Sequence, residues 1–218
     1  MPSPILSVFC SDQWRPMHHG GVDAEEPRTT LAGRLLVATP ALGDSTFERT
    51  VVLLLDHDED GALGVVINRP TPVEVAEVLP SWEGLTTGPP VLFEGGPVAL
   101  DSALALAQVR GDGSDEEEPV GFRRVVARLG LLDLDLPPQD IVGEVSLVRI
   151  FAGYSGWGPG QLEEELEQGA WYVVDAHLHG PGADAFCDQP ESLWRAVLRR
   201  QGGDLAMVST YADDPTMN

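Results

Sequence analysis

Residues 51–70 read VVLLLDHDEDGALGVVINRP. Two apolar runs, Val51–Leu55 and Leu63–Ile67, flank the acidic stretch Asp56–Gly61. Short unbroken apolar runs are the pattern of strands covered on both faces, because neither face needs polar residues. The Asp- and Gly-rich joint between them is a tight turn, so the two runs pair as a hairpin. Outward from this hairpin, Leu35–Ala38 supplies an earlier strand. Val91–Phe93, ended by Gly95-Gly96-Pro97, and Ala103–Val109 supply two later ones. Val120–Leu129, Glu144–Ala152 and Trp171–Asp175 read as further strands.

Three helices alternate with these runs. Thr71 is read as an N-cap, with Pro72 at the first helical position and Glu74 completing a capping box. Val75, Val78 and Leu79 share its buried face and Pro80 stops it. Gln161–Gln168 is a second helix, entered by Pro159 and closed by Gly169. Pro190–Gln201 is a third, with Leu193, Trp194, Val197 and Leu198 facing inward and Gly202-Gly203 ending it. This mixture predicts an α/β layered fold with a mixed sheet. Residues 31–218 are expected to form a single domain. Residues 1–30 carry Pro2, Pro4, Pro16, Pro27 and His18-His19 without apolar periodicity, and read as a disordered tail. Met17 is a candidate translation start, and the His pair is incidental.

The bulk composition bounds the function. A chain of 218 residues, 43% hydrophobic, suits one domain with a substantial core. No apolar run approaches the roughly 20 residues that span a bilayer. Met1–Cys10 has no basic residue and too short an apolar stretch for a signal peptide. Cys10 and Cys187 are the two cysteines, and Cys10 lies in the expected tail, so no structural disulfide and a reducing cytoplasm are expected. Net charge is −22, and all 13 basic residues are Arg. Such a field repels polyanions, and proteins that grip phosphate backbones rely on clustered cations. Arg123, Arg124 and Arg128, like Arg195, Arg199 and Arg200, are read as ion-pair partners among 35 acids. Arg110–Pro119 is a solvated acidic loop without the alternating spacing of a calcium loop.

Several segments carry candidate chemistry. Gly153-Tyr154-Ser155-Gly156-Trp157-Gly158-Pro159-Gly160-Gln161 follows a strand and opens a helix. That context resembles a nucleophile elbow, but Trp157 stands where the pattern needs its final Gly, and no base is selected for Ser155. His57, His177 and His179 are candidates for that base. The same loop can hold an anion at the helix start, although Glu163, Glu164 and Glu165 oppose one there. Its structural alternative is a glycine turn anchored by Trp157. Asp56-His57-Asp58 is a charged turn, and a metal there would need His177 and His179 to converge on it. A hydrogen-bonded turn His is the favoured reading. Arg69, in Asn68-Arg69-Pro70, is either a carboxylate clamp or a partner of Asp44 or Glu94. Arg49 carries the same ambiguity.

Taken together, these segments resemble the YqgE/AlgH family. The opening motif is Gly33–Pro40 (GRLLVATP) with Leu42, Asp44, Phe47 and Arg49. It continues through VVLLL (51–55), His57, Gly61 and GVVINRP (64–70). EGGPV (94–98) is similar to the second motif and FAGYSGWGPGQLE (151–163) to the third. The resemblance runs from about Leu31 to the C-terminus, leaving out the tail and the acidic loop. It implies a three-layer α/β sandwich around a mixed β-sheet, with a small α+β subregion. Family members carry the label of transcriptional regulator, and the resemblance brings no catalytic residue with it. The chain shows no convincing helix-turn-helix.

The sequence therefore points to a regulatory protein that binds an unknown small molecule or protein without direct DNA contact. It predicts no membrane span, cofactor or metal, and is compatible with a homo-oligomer. The expected ligand cleft gathers Asp44, Arg49, His57, Asn68, Arg69, Gly95, Gly96, Ser155, Gly156, Trp157 and Gln161. The alternatives are a hydrolase using Ser155 or His57 and, third, a direct transcriptional regulator.

Overall fold

The 51–70 hairpin forms as read, with Val51–Asp58 and Gly61–Val66 antiparallel and Leu53 opposite Val65. The computed structural model describes residues 7–8, 30–111, 118–178 and 180–211. In chain order the strands are β1 (Ser7–Val8), β2 (Arg34–Ala38), β3 (Val51–Asp58), β4 (Gly61–Val66), β5 (Pro70–Glu74) and β6 (Val91–Glu94). β7 (Val98–Val109), β8 (Phe122–Val126), β9 (Leu129–Leu132), β10 (Val145–Trp157) and β11 (Trp171–Asp175) follow. The helices are α1 (Val75–Val78), α2 (Gln161–Glu167), α3 (Leu193–Gln201) and α4 (Gly203–Val208).

The eleven strands of the described residues join one sheet, ordered β11-β2-β3-β4-β10-β7-β9-β8, with β1 on β7, β6 on β10 and β5 on β6. Every pairing is antiparallel except β6 with β10 and β1 with β7. Thus the sheet is mixed, as expected, but almost wholly antiparallel. β10 is its spine: Val145–Tyr154 pairs with β7, Phe151–Ala152 with β6, and Ser155–Trp157 with β4. The sheet curls until Val126 of β8 lies against Gly33 at the start of β2. The fold is a mixed α+β architecture dominated by this curled sheet, with few helices.

Alternation explains the continuous apolar runs. Leu35, Val37, Val51, Leu53 and Leu55 share one core with Leu193, Trp194, Val197 and Leu198 of α3. Leu36, Ala38, Val52 and Leu54 face the other way, onto Leu162 of α2, Trp157 and Trp171. Both faces of β2 and β3 are therefore dry, and each buried aliphatic side chain contributes roughly 1.5–3 kcal/mol. On the β7–β10 half, Ala105, Ala107, Val148 and Ile150 build a third cluster with Trp82 and Phe122.

Several elements depart from the sequence reading. The expected helix at Thr71 is strand β5, and Thr71 Oγ1 donates to the Leu92 carbonyl. Pro72 disfavours helical backbone at Thr71 and so supports the strand. The capping box exists three residues later, between Glu74 and Glu77, and opens only the single turn α1. Val120–Leu129 is not one strand but the hairpin β8–β9, turned at Ala127 (φ 50°). Gly202 ends α3, yet Gly203 opens α4, which the sequence reading lacks. Ser7–Val8, inside the stretch read as a tail, pairs with β7, while the rest of 1–29 and most of the acidic loop lie outside the described residues. Cys187 is a free thiol, and among the described residues no helix is long and apolar enough to cross a membrane.

Candidate functional site

A cleft of about 340 Å³ opens between the loop after β2 and the C-terminal helices. Pro40, Leu42 and Trp194 give it apolar walls, and Asp44, Glu48, Arg49 and Tyr211 line it as well. The loop is shaped from its own sequence. Asp44 Oδ1 accepts the Thr46 N–H at 2.8 Å, closing an Asx turn. Phe47 O then accepts from both the Thr50 N–H and its hydroxyl, at 3.1 and 2.8 Å. Arg49 sits at φ 53°, a left-handed conformation that costs a non-glycine residue energy.

Asn68 holds that conformation in place. Its Nδ2 donates to Arg49 O at 2.9 Å, and its Oδ1 accepts the Val51 N–H at 2.8 Å. Arg69 adds a bond to Glu48 O at 3.2 Å and lies 3.8 Å from Glu94, the second of the partners anticipated for it. The Arg49 guanidinium stands 5.0 Å from the centre of the Trp194 ring and donates to Tyr211 O at 3.3 Å. Arg195 lies 6.0 Å from the same ring and bonds Ser209 O and Tyr211 O. Trp194 is fixed by its own N–H, which donates to Ala38 O at 2.9 Å.

The glycine motifs make a different structure. Gly153–Trp157 is not a loop; it continues β10. Ser155 is fully buried and donates to Gly95 O at 3.2 Å. The nucleophile-elbow turn is therefore absent, and Ser155 Oγ has no open face. Gly95-Gly96 crosses directly over this strand. A Cβ at Gly95 would collide with the Gly153 carbonyl, and one at Gly96 (φ 148°) with Ser155 Oγ and the Tyr154 carbonyl. Backbone packs on backbone here, tied by Gly95 N to Ala152 O and Val66 N to Gly95 O at 2.9 and 2.8 Å. Gly156, on the exposed side, pairs with Leu63.

On the far face of β2–β4, α2 is clasped by side chains. His57 Nδ1 accepts the Leu31 N–H at 3.2 Å, so its proton sits on Nε2 and points to Glu163 Oε1, 2.8 Å away. That bond holds the Glu163 carboxyl below its ordinary value. Glu165 Oε2 accepts both indole N–H groups, from Trp157 at 2.9 Å and Trp171 at 2.7 Å. Gln161 donates to the other oxygen at 3.0 Å and caps Gly158 N–H with its own carbonyl. Phe47 packs edge-on to Trp171 at 5.4 Å and near-parallel to Trp157 at 6.4 Å. The cluster thereby braces the cleft loop from behind.

Of the sequence-selected residues, Asp44 and Arg49 line the cleft. Asn68 and Arg69 hold the turn beneath it. Gly95, Gly96, Ser155 and Gly156 belong to the strand crossing, and His57, Trp157 and Gln161 to the α2 clasp. His177 donates its backbone N–H to Asp184, and His179 lies outside the described residues. Among the described residues no group of His, Cys, Asp and Glu is arranged to hold a metal ion. Sequence reasoning missed Glu48, which stands beside Arg49 in the same loop, and Trp194 and Tyr211, which reach the cleft from segments distant in the chain. It also missed Arg149, fully buried, bonded to the carbonyls of Gly88, Ala185 and Cys187 and 4.2 Å over Phe93. Burial pushes the Arg149 guanidinium down and the neighbouring Cys187 thiol up. A lone Arg inside the apolar run 147–152 was the available signal.

Fold and cleft together define a mixed α+β protein with a curled antiparallel sheet and one loop held in a strained shape beside a ligand-sized hollow. The chain belongs to the AlgH-like family, whose model (DUF179, AlgH-like) matches residues 35–206. A UPF0301 protein of Streptomyces coelicolor is 60% identical over 190 residues, 87% of this chain and 96% of the relative. A UPF0301 protein of Thermobifida fusca is 46% identical over 206 residues, 90% of this chain and all of the relative. A crystal structure of the Corynebacterium diphtheriae protein DIP2367 is similar at TM-score 0.72 and 31% identity, covering 86% of this chain and 96% of that one. The solution structure of AlgH from Pseudomonas aeruginosa is similar at TM-score 0.59 and 29% identity, covering 88% and 100%.

Proposed function

We propose that this protein is a cytoplasmic regulatory binding protein that acts through a small molecule or protein partner held at the 39–49 cleft, without touching DNA. We take residues 31–218 as one domain in which helices cover both faces of the sheet as outer layers. One observation carries the functional reading. The cleft loop is held at a strained Arg49 by a buried Asn68, so the hollow is built before any ligand arrives. Among the described residues two other non-glycine residues share a positive φ. Ala127 serves a hairpin turn and Ala99 a β-bulge region, and neither lines the hollow.

A hydrolase is the weaker reading, because Ser155 is sealed and both nitrogens of His57 are engaged. Direct DNA regulation is weaker still, given the net charge of −22. The test is a thermal-shift screen of metabolites of all charge types against the wild type and Asp44→Asn, with a gel shift at low salt. The reading expects at least one compound that raises Tm in the wild type and much less in the variant, and no DNA shift. Hits indifferent to the cleft variant, or a shifted DNA band, would overturn it.

A further inference from the structure

We propose that the cleft selects an organic cation, an ammonium or guanidinium carried on an apolar body; this rests on the binding reading above. Of the three charged residues that line the hollow two are acids, Asp44 and Glu48. Asp44 uses one carboxylate oxygen for the Thr46 N–H and keeps the second. Among the described residues the exposed Glu48 carboxylate has no partner, since Arg69 bonds only its backbone carbonyl. The cation of the lining, Arg49, is laid across Trp194 and bonded to the Tyr211 carbonyl. A carboxylate or phosphate ligand would therefore meet two acids, whereas an ammonium meets two acceptors. Pro40 and Leu42 supply most of the surface for an apolar body, and Trp194, itself almost fully buried, adds little.

The size and field agree. A hollow of about 340 Å³ lies at the small end of ligand sites, which start at roughly 300 Å³. A chain of net charge −22 draws cations toward itself and repels anions before contact. A free amine and a basic side chain on a protein partner share this chemistry, and the experiment separates the two sources.

The full chain, labelled with ¹⁵N, is titrated with phenethylamine, its neutral analogue 2-phenylethanol and the anion phenylacetate, following the Trp194 indole N–H. Phenethylamine should move that signal, with 2-phenylethanol at least about tenfold weaker and phenylacetate weaker again. The double variant Asp44→Asn/Glu48→Gln should bind the amine about tenfold more weakly. The amide introduced by Asp44→Asn keeps an oxygen for the Thr46 N–H, and among the described residues Glu48 has no side-chain bond to lose, so Tm should be unchanged. In a parallel arm, agmatine is compared with the blocked peptide acetyl-Gly-Arg-Gly-amide. Tighter peptide binding assigns the cation to a protein partner and tighter agmatine binding to a free amine; both support the inference if the double variant weakens them. Equal binding of alcohol and amine, preference for phenylacetate, or a double variant that binds the amine as the wild type does would overturn it. Cleft-dependent binding of neutral or anionic molecules would leave the binding reading standing, whereas failure of every compound to move the Trp194 signal would sink both.

Discussion

The 39–50 loop and the crossing of Gly95-Gly96 over β10 are both dense in distinctive residues, and they put them to opposite use. In the loop, polar side chains point outward around a hollow, and the turn beneath is paid for by one buried amide, Asn68. At the crossing, side chains are removed or turned inward so that two backbones can touch, and the Ser155 hydroxyl is consumed by Gly95 O. Distinctive composition alone thus does not separate a site from a scaffold. What separates them is whether polar groups remain after internal partners are counted.

This contrast can be broken most violently at Gly96. Gly96→Ala must push the Tyr154 carbonyl and Ser155 Oγ away from a positive-φ position, and should destabilise by about 3 kcal/mol or more. Urea unfolding measures it, and a loss below about 1 kcal/mol would show that the crossing is not close-packed. Asn68→Ala strips the buried Val51 N–H and the Arg49 carbonyl of their partners and should cost about 2 kcal/mol. It should also weaken any cleft ligand, so unaltered binding would separate the turn from the site. Ser155→Ala loses one bond and should cost about 1 kcal/mol while leaving cleft binding intact.

The smallest effect belongs to Glu163→Gln and sharpens the role of the α2 clasp. The Glu163 carboxyl is lowered by its bond to His57, so the ionised carboxylate accepting that bond adds stability above the ordinary carboxylate range. That contribution disappears as pH falls through the lowered value. With Glu163 half-exposed, solvent screening keeps it well under about 1 kcal/mol. The Tm gap between wild type and variant should therefore be largest near neutrality and close below about pH 4. A gap that widens in acid would contradict the assignment.

Much of the sheet was legible because the runs Leu35–Ala38, Val51–Leu55 and Leu63–Val66 inside β2, β3 and β4 are apolar without interruption, the pattern of strands covered on both faces. The inward face of α3 was legible through its spacing, with Leu193, Trp194, Val197 and Leu198 all buried. The Thr71 helix misled because capping signals are local, while the pairing of β5 with β6 is not. The Gly153–Trp157 stretch misled for a related reason: glycine marks a close backbone approach as readily as a turn, and which partner approaches is set by the fold. The cleft was half legible. Asp44 and Arg49 lie in one motif, but Trp194 and Tyr211 come from the far end of the chain, and no local pattern links them.

The central claim is that recognition resides in the 39–49 cleft and that the glycine crossing is scaffold. It is tested most directly by isothermal titration of phenethylamine into wild type, Asp44→Asn/Glu48→Gln and Ser155→Ala side by side, with Tm recorded for each. The account predicts lost affinity at unchanged Tm in the double variant, and unchanged affinity at lowered Tm in Ser155→Ala. The reverse pattern, with binding lost at Ser155 and kept in the double variant, would contradict it.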